Sequence, residues 1–168
     1  MTEQPQEPNP LFEELIWVHG MIRRDLETVQ RLAADVDDGL AAPEVAGRLE
    51  ELKTNGPLWR LKVNCLHYCR FVHSHHRLED VALFPAIRRI DPGLDSVVDK
   101  LEADHRAVAE RLGEVERGAE ALTENDGAAA RRRLSAALER LATTLLDHLS
   151  FEERELERPM AGMRGLSG

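Results

Sequence analysis

The sequence predicts an all-α protein: an up-down-up-down antiparallel four-helix bundle with a short extra helix between the first and second long helices. Three observations carry this. Aromatic residues are only 4% of the chain and β-branched runs are absent, while Leu, Ala, Glu and Arg dominate, which favours helix nearly everywhere. Four stretches carry apolar stripes at heptad-like spacing. The joints between them are short and rich in Gly, Pro, Asn and Asp, so neighbouring helices run antiparallel. A chain of 168 residues suits one domain with a real core.

Residues 1–8, rich in Pro and Gln, read as a flexible N-terminal arm. Asn9 caps a helix whose first position takes Pro10, and this helix runs to about Asp38, where Gly39 can end it. Pro43 starts a short amphipathic stretch with Val45, Leu49 and Leu52 on one side, and Asn55-Gly56-Pro57 breaks it. The second long helix continues to about Phe84-Pro85, with a further turn to Ile90. Asp91-Pro92-Gly93 is a tight connection to a third helix over 94–122, and Thr123 to Gly127 is the next loop. The fourth helix starts near 128 and ends before Pro159. The bundle domain is therefore 9–159, and 160–168 is a flexible C-terminal tail.

A net charge of −9 repels a phosphate backbone, which argues against nucleic acid as a partner. No apolar run approaches the ~20 residues needed to span a bilayer. The N-terminus MTEQPQEPNP has neither a basic region nor an apolar one, so the expected location is cytoplasmic, with no membrane contact. Cys65 and Cys69 lie four apart in one helix, poorly aimed at each other for a disulfide, and read as reduced core thiols.

The stripes are interrupted by groups that are costly to bury unpaired. The first reads Leu15, His19, Ile22, Leu26, Val29, Ala33, Val36; the third is broken by His105 and the fourth by His148 and Glu152. On the second, the apolar arc is centred between His75 and His76, with Glu79 close to that centre, whereas His73 lies at its edge and His67 outside it. His19 and His105 follow a helix start by about ten residues, while His75, His76, Glu79, His148 and Glu152 precede a helix end by about five to ten. In an antiparallel bundle these positions share one level, and seven ionisable side chains from four helices converge.

A single histidine on an apolar face is more often a hydrogen-bonded core residue than a ligand. Seven such groups at one height are different, because the two glutamates lack counter-charge: no Lys or Arg occupies an inward position at that level, and a multivalent cation fits. Imidazole with carboxylate favours a first-row transition metal, and the lack of thiolate argues against structural zinc. One octahedral ion cannot use seven side chains, but two can if Glu79 and Glu152 bridge them. Asp104 and Asp147, each directly before a histidine, are weak candidates for orienting the imidazoles. An internal echo supports the arrangement: His19 aligns with His105, and His75 and Glu79 with His148 and Glu152, while Leu149 stands where His76 would have its partner.

The stretches His75 to Pro85, HHRLEDVALFP, and His148 to Glu153, HLSFEE, resemble the hemerythrin-like (HHE cation-binding) family, whose name describes His75-His76-x-x-Glu79. The likeness spans nearly the whole chain. It implies a four-helix bundle around two Fe ions, a non-heme di-iron centre that is oxo- and carboxylate-bridged, with metal ligands His19, His75, His76, Glu79, His105, His148 and Glu152. Oxygen-carrying members have a His-x-x-x-His pattern on the third helix; here Ala109 follows His105 by four residues, and His76 is the substitute donor.

The resemblance implies a small oxidant or gas as the partner: dioxygen, peroxide or nitric oxide. The expected function is reaction with dioxygen or peroxide at the iron pair, a catalase- or peroxidase-like or oxidative-stress role. The alternatives are a non-catalytic dioxygen or nitric oxide binding or sensing protein, which would need a separate protein partner for output, and iron handling or storage. The Leu- and Val-filled stripes predict no substrate pocket beside the metals. Tyr68, two turns before His75, reads as a core residue more readily than as a redox one.

Overall fold

The computed structural model describes residues 9–39, 57–122 and 128–163. The arm, the short amphipathic stretch after Pro43, the loop at 123–127 and most of the tail lie outside them. The described residues are helical, without a strand, and contain four long helices, consistent with a helical bundle: α1 (Pro10–Gly39), α2 (Pro57–Leu78), α4 (Asp95–Ala121) and α5 (Ala128–Met160). A π-helical turn (Glu79–Leu83) and the short α3 (Phe84–Ile90) continue α2, and a 3₁₀ turn (Pro92–Leu94) leads into α4. No helix here is long and apolar enough to cross a membrane.

Local chemistry sets the boundaries. Asn9 Oδ1 accepts from Leu11 N–H at 3.2 Å and caps α1, while its side-chain amide donates to the Met160 carbonyl and ties the start of α1 to the end of α5. Asp91 Oδ1 accepts from Gly93 N–H at 2.9 Å and shapes the connection to α4. The helical path carries on past Phe84-Pro85 to Ile90, as the sequence suggests. Pro85 has no N–H and in a regular α-helix would press on the carbonyl of Val81; the widened turn just before it, in which Phe84 N–H reaches the carbonyl of Glu79, carries the chain through. The fourth helix likewise passes through Pro159 to Met160, because a proline in the last turn forfeits only one hydrogen bond near an end that frays anyway.

Contacts between neighbouring helices run in opposite residue order. Lys62, His73 and Asp80 meet Glu120, Glu116 and His105; Glu114 and Asp104 meet Arg140 and His148; His19 meets Glu152 while Asn9 meets Met160. At Gly118 an added Cβ would sit 3.3 Å from the Leu134 Cα, so the absence of a side chain lets α4 and α5 close on each other.

The apolar stripes are buried and divide into two cores. The larger holds Ile22, Leu26, Val72, Val108, Leu112, Leu145 and their neighbours; the smaller holds Leu15, Leu83, Phe84, Leu101, Leu156 and Met160, with Met163 against it. On every long helix the polar interruption falls between them: His19 between Leu15 and Ile22, His105 between Leu101 and Val108, His76 and Glu79 between Val72 and Leu83, Glu152 between Leu149 and Leu156. A polar plate separates the two cores, and the candidate site is that plate.

Candidate metal centre

All seven expected residues come together. His19, His76, Glu79, His105, His148 and Glu152 are buried, and His75 is 9% exposed at its side chain. They form two groups that share a carboxylate. His76, His105 and His148 have donor atoms within 4.8 Å of one another and of Glu79; so do His19 and His75 with Glu79. Glu79 Oε1 lies 3.3 Å from the Nε2 atoms of both His75 and His105. Glu152 Oε2 lies 3.3 Å from His148 Nε2 and 3.6 Å from His19 Nε2. Each carboxylate thus touches one imidazole of each group, as a bridge between two cations requires.

The fit of a metal pair is tested by what the protein leaves unsatisfied. The Nε2 atoms of all five histidines and all four carboxylate oxygens of Glu79 and Glu152 are buried without a hydrogen-bond partner. Buried polar atoms are rarely orphaned, and nine converging on one point need a partner that is not a side chain. The electrostatics agree. Burial, then the positive fields of neighbouring imidazoles, lower His75 to about 4 and His76 further still, so both rings are neutral electron-pair donors. Burial and the adjacent Glu152 push the Glu79 carboxyl well above the usual carboxylate range. Burial alone would raise Glu152 as well, but Glu79 and His148 beside it hold it at about 2. Without a cation the pair keeps a proton; with one, both carboxylates can ionise.

The opposite ring nitrogens fix the imidazoles. His19 Nδ1 donates to Glu153 Oε2 at 2.9 Å, and Arg23 donates to the same carboxylate, 2.8 Å from Oε2 and 3.1 Å from Oε1. His105 Nδ1 donates to Asp80 Oδ1 at 2.8 Å, and His148 Nδ1 lies 3.3 Å from Asp104 Oδ2, itself paired with Lys100 at 2.9 Å. These contacts select the tautomer with Nε2 free toward the centre. Of the two expected acceptors, Asp104 serves His148 on another helix and not its own neighbour, while Asp147 is exposed. Asp80 and Glu153 were not anticipated. Their signal was in the echo: each follows a buried glutamate of the plate directly and turns to the histidine of an adjacent helix.

His73 is 44% exposed and pairs with Glu116 at 2.9 Å, and His67 is exposed, so neither joins the centre. Cys65 and Cys69 are free and buried, each pushed up to about 12 by burial, which leaves them inert. Tyr68 is a core residue whose hydroxyl donates to the Ile22 carbonyl at 3.1 Å.

The Leu and Val stripes leave no organic-substrate pocket on the His75 side, but they do not fill the space completely. An apolar cavity of about 120 Å³ reaches His75 and Glu79 between Leu11, Leu15, Val18, Leu83 and Met160. Sequence stripes report which residues face inward, and not whether their volumes fill the space between two helices. On the opposite side, an open cleft of about 560 Å³, edged by charged side chains, reaches His76 and His105.

Comparison with curated proteins and with solved structures gives no match. The family model of the hemerythrin HHE cation-binding domain matches residues 11–158, which takes in all but the outer ends of the four long helices and every residue of the buried His/Glu plate. With nine unsatisfied donor atoms arranged for cations in that plate, the chain belongs to the hemerythrin HHE cation-binding family.

Proposed function

We propose that this is a non-heme di-iron protein, an up-down-up-down bundle, that reacts with dioxygen or peroxide at the His/Glu-bridged pair in a peroxidase- or catalase-like role. The observation that carries the reading is the unequal donor count beside the small apolar cavity. One ion would be held by His76, His105 and His148 with a share of Glu79 and Glu152; the other by His19 and His75 with the same two bridges. The second position has fewer protein donors than an octahedral ion takes, and the cavity lies against it.

Iron, when bound, supplies redox change and a Lewis-acidic position for an oxygen-containing ligand. The chain's own residues do the rest. Leu11, Leu15, Val18, Leu83 and Met160 keep the approach apolar and limit bulk water. At about 120 Å³ the space suits a diatomic molecule or hydrogen peroxide and is below the ~300 Å³ at which organic-ligand pockets begin, which disfavours an oxygenase substrate. Glu79 and Glu152 hold the two positions together and carry the proton balance when the centre is empty. Glu153, Asp80 and Asp104 hold His19, His105 and His148 in one tautomer through a change of metal charge. Glu14, the one ionisable lining residue besides His75 and Glu79, stands on the exposed side and can exchange protons with solvent.

The test is stopped-flow mixing of di-ferrous protein with dioxygen and of resting protein with peroxide, with oxygen followed by electrode. Multiple peroxide turnovers, abolished in Glu79→Ala, are expected. An oxygenated form that lasts for hours and returns its dioxygen under vacuum, with no turnover above free iron, would replace this reading with the carrier or sensor one.

A further inference from the structure

The open cleft on the three-histidine side is edged by charged side chains that the oxidant chemistry does not use. α2 with the π turn contributes positions 73, 76, 77 and 80, and α4 contributes 102, 105, 106 and 109, the same spacing on two facing helices. Ala109 is what opens the cleft: it sits one turn beyond His105, where a longer side chain would occupy the space. The cleft's volume of about 560 Å³ lies within the ~300–1,000 Å³ of small-molecule sites.

Its charged lining is two arginines, Arg77 and Arg106, and two acids, Asp80 and Glu102. The two acids are already engaged, Glu102 by Arg88 at 3.2 Å and Asp80 by His105 at 2.8 Å. His73 is likewise engaged by Glu116. Arg77 on α2 and Arg106 on α4 have no hydrogen bond or ion pair among the described residues, and both line the cleft. In a protein of net charge −9, acidic partners for two arginines are plentiful, yet these two flank a cleft whose floor is His76 and His105. Cations in the centre below would add positive charge to the same face.

We propose that this cleft is a binding site for a small anion with several oxygens, a phosphate-like oxyanion or a dicarboxylate, held by the guanidinium groups of Arg77 and Arg106. Planar guanidinium forks match carboxylate and phosphate oxygens in pairs, which a lysine ammonium does not. Arg77 directly follows His76 and Arg106 directly follows His105, so an anion drawing the two arginines together bears on the backbone next to two donors of the three-histidine position. The site lies on the other side of the centre from the apolar cavity, so an anion here and a neutral oxidant there need not compete.

The experiment is calorimetric titration of the iron-reconstituted protein at low ionic strength with inorganic phosphate and, separately, with succinate. Iron content and the near-ultraviolet spectrum are recorded for every variant, so failure of the metal reading is seen independently. Saturable binding of about one equivalent of at least one anion is expected. Replacing both arginines, Arg77→Gln with Arg106→Gln, should weaken it by about tenfold or more. Ala109→Leu should weaken it with both arginines intact, by crowding the space between them, while Arg89→Gln, an exposed arginine elsewhere, should leave it unchanged. Phosphate binding alone identifies an oxyanion site, and succinate binding alone a dicarboxylate site. Absence of saturable heat with both anions up to roughly 10 mM, or equal affinity in the double-glutamine protein, overturns the proposal.

Discussion

The two halves of the centre are built on one plan and end up unlike. On each, a buried glutamate is followed by an acid that fixes a histidine of an adjacent helix: Glu79 and Asp80 with His105, Glu152 and Glu153 with His19. The plan then breaks at two positions. His76 stacks on His105, ring centroids 3.9 Å apart, and its counterpart in the echo is the buried apolar Leu149. Asp104 supports His148, and its counterpart is Val18, which lines the apolar cavity. One side is therefore rich in donors, braced by carboxylates and by the face of Phe84 on His105 at 5.1 Å. The other is donor-poor and open to a small apolar space. The repeated plan gives each side a buried glutamate, and the two differing positions leave one side richer in nitrogen donors and the other beside the apolar cavity.

The largest expected effect comes from removing what the halves share. Glu79→Ala or Glu152→Ala should bring iron to less than one per chain and return the melting temperature to that of metal-free protein, because cation binding is linked to folding. Elemental analysis with calorimetry checks both, and a protein that keeps two irons after either change would end the bridging assignment.

A smaller effect should separate the sides. His76→Ala is expected to leave about one iron per chain, whereas His73→Ala, at an exposed pair with Glu116, should keep two. Equal losses at 76 and 73 would mean that the three-histidine side does not depend on His76.

Smaller again are the supports. Asp80→Asn and Glu153→Gln should each weaken iron binding by about 10–100-fold with little change in apo stability, and the loss should fall on the half that the acid braces. Competition with a chelator, followed ion by ion in the absorption spectrum, gives the comparison; if both variants release the same ion first, the pairing of acids with halves is incorrect.

The least effect is that of acid on the metal-free protein. His75 and His76 have folded-state pKa values lowered by burial, from 6.5 to about 4 for His75, so the unfolded chain binds more protons in that window. Stability should therefore fall as pH drops from 6.5 toward 4, and His75→Leu with His76→Leu should flatten part of that slope. Urea unfolding at several pH values measures it, and an unchanged slope would show that these imidazoles do not oppose acidification.

Much of this was legible in the sequence. The stripes through Leu15 to Val36, Val98 to Leu122 and Leu134 to Leu156 are buried as their spacing predicts, because one side of each helix must face the core wherever the helix packs. The same periodicity picked out His19, His76, Glu79, His105, His148 and Glu152, since a polar residue inside an apolar stripe cannot avoid the interior. It also kept His73 and His67 out. Composition and joints were enough for the helical class and for short connections such as Asp91 to Gly93.

Tertiary structure decided what depends on distance between helices. Periodicity gives the direction in which Asp80 and Glu153 leave their helices, but only the approach of α4 and α1 places His105 and His19 at 2.8 and 2.9 Å from them. The passage through Pro85 as a π turn follows from competition between a missing donor and the packing of Leu83, Phe84 and Ile87, which neighbouring helices supply. The cavity beside His75 and the cleft beside His76 exist because side chains of fixed volume meet at particular helix spacings. Sequence by itself determined which residues turn inward, a property of one helix; structure decided how much space they leave and which nitrogens they share, properties of several helices at once.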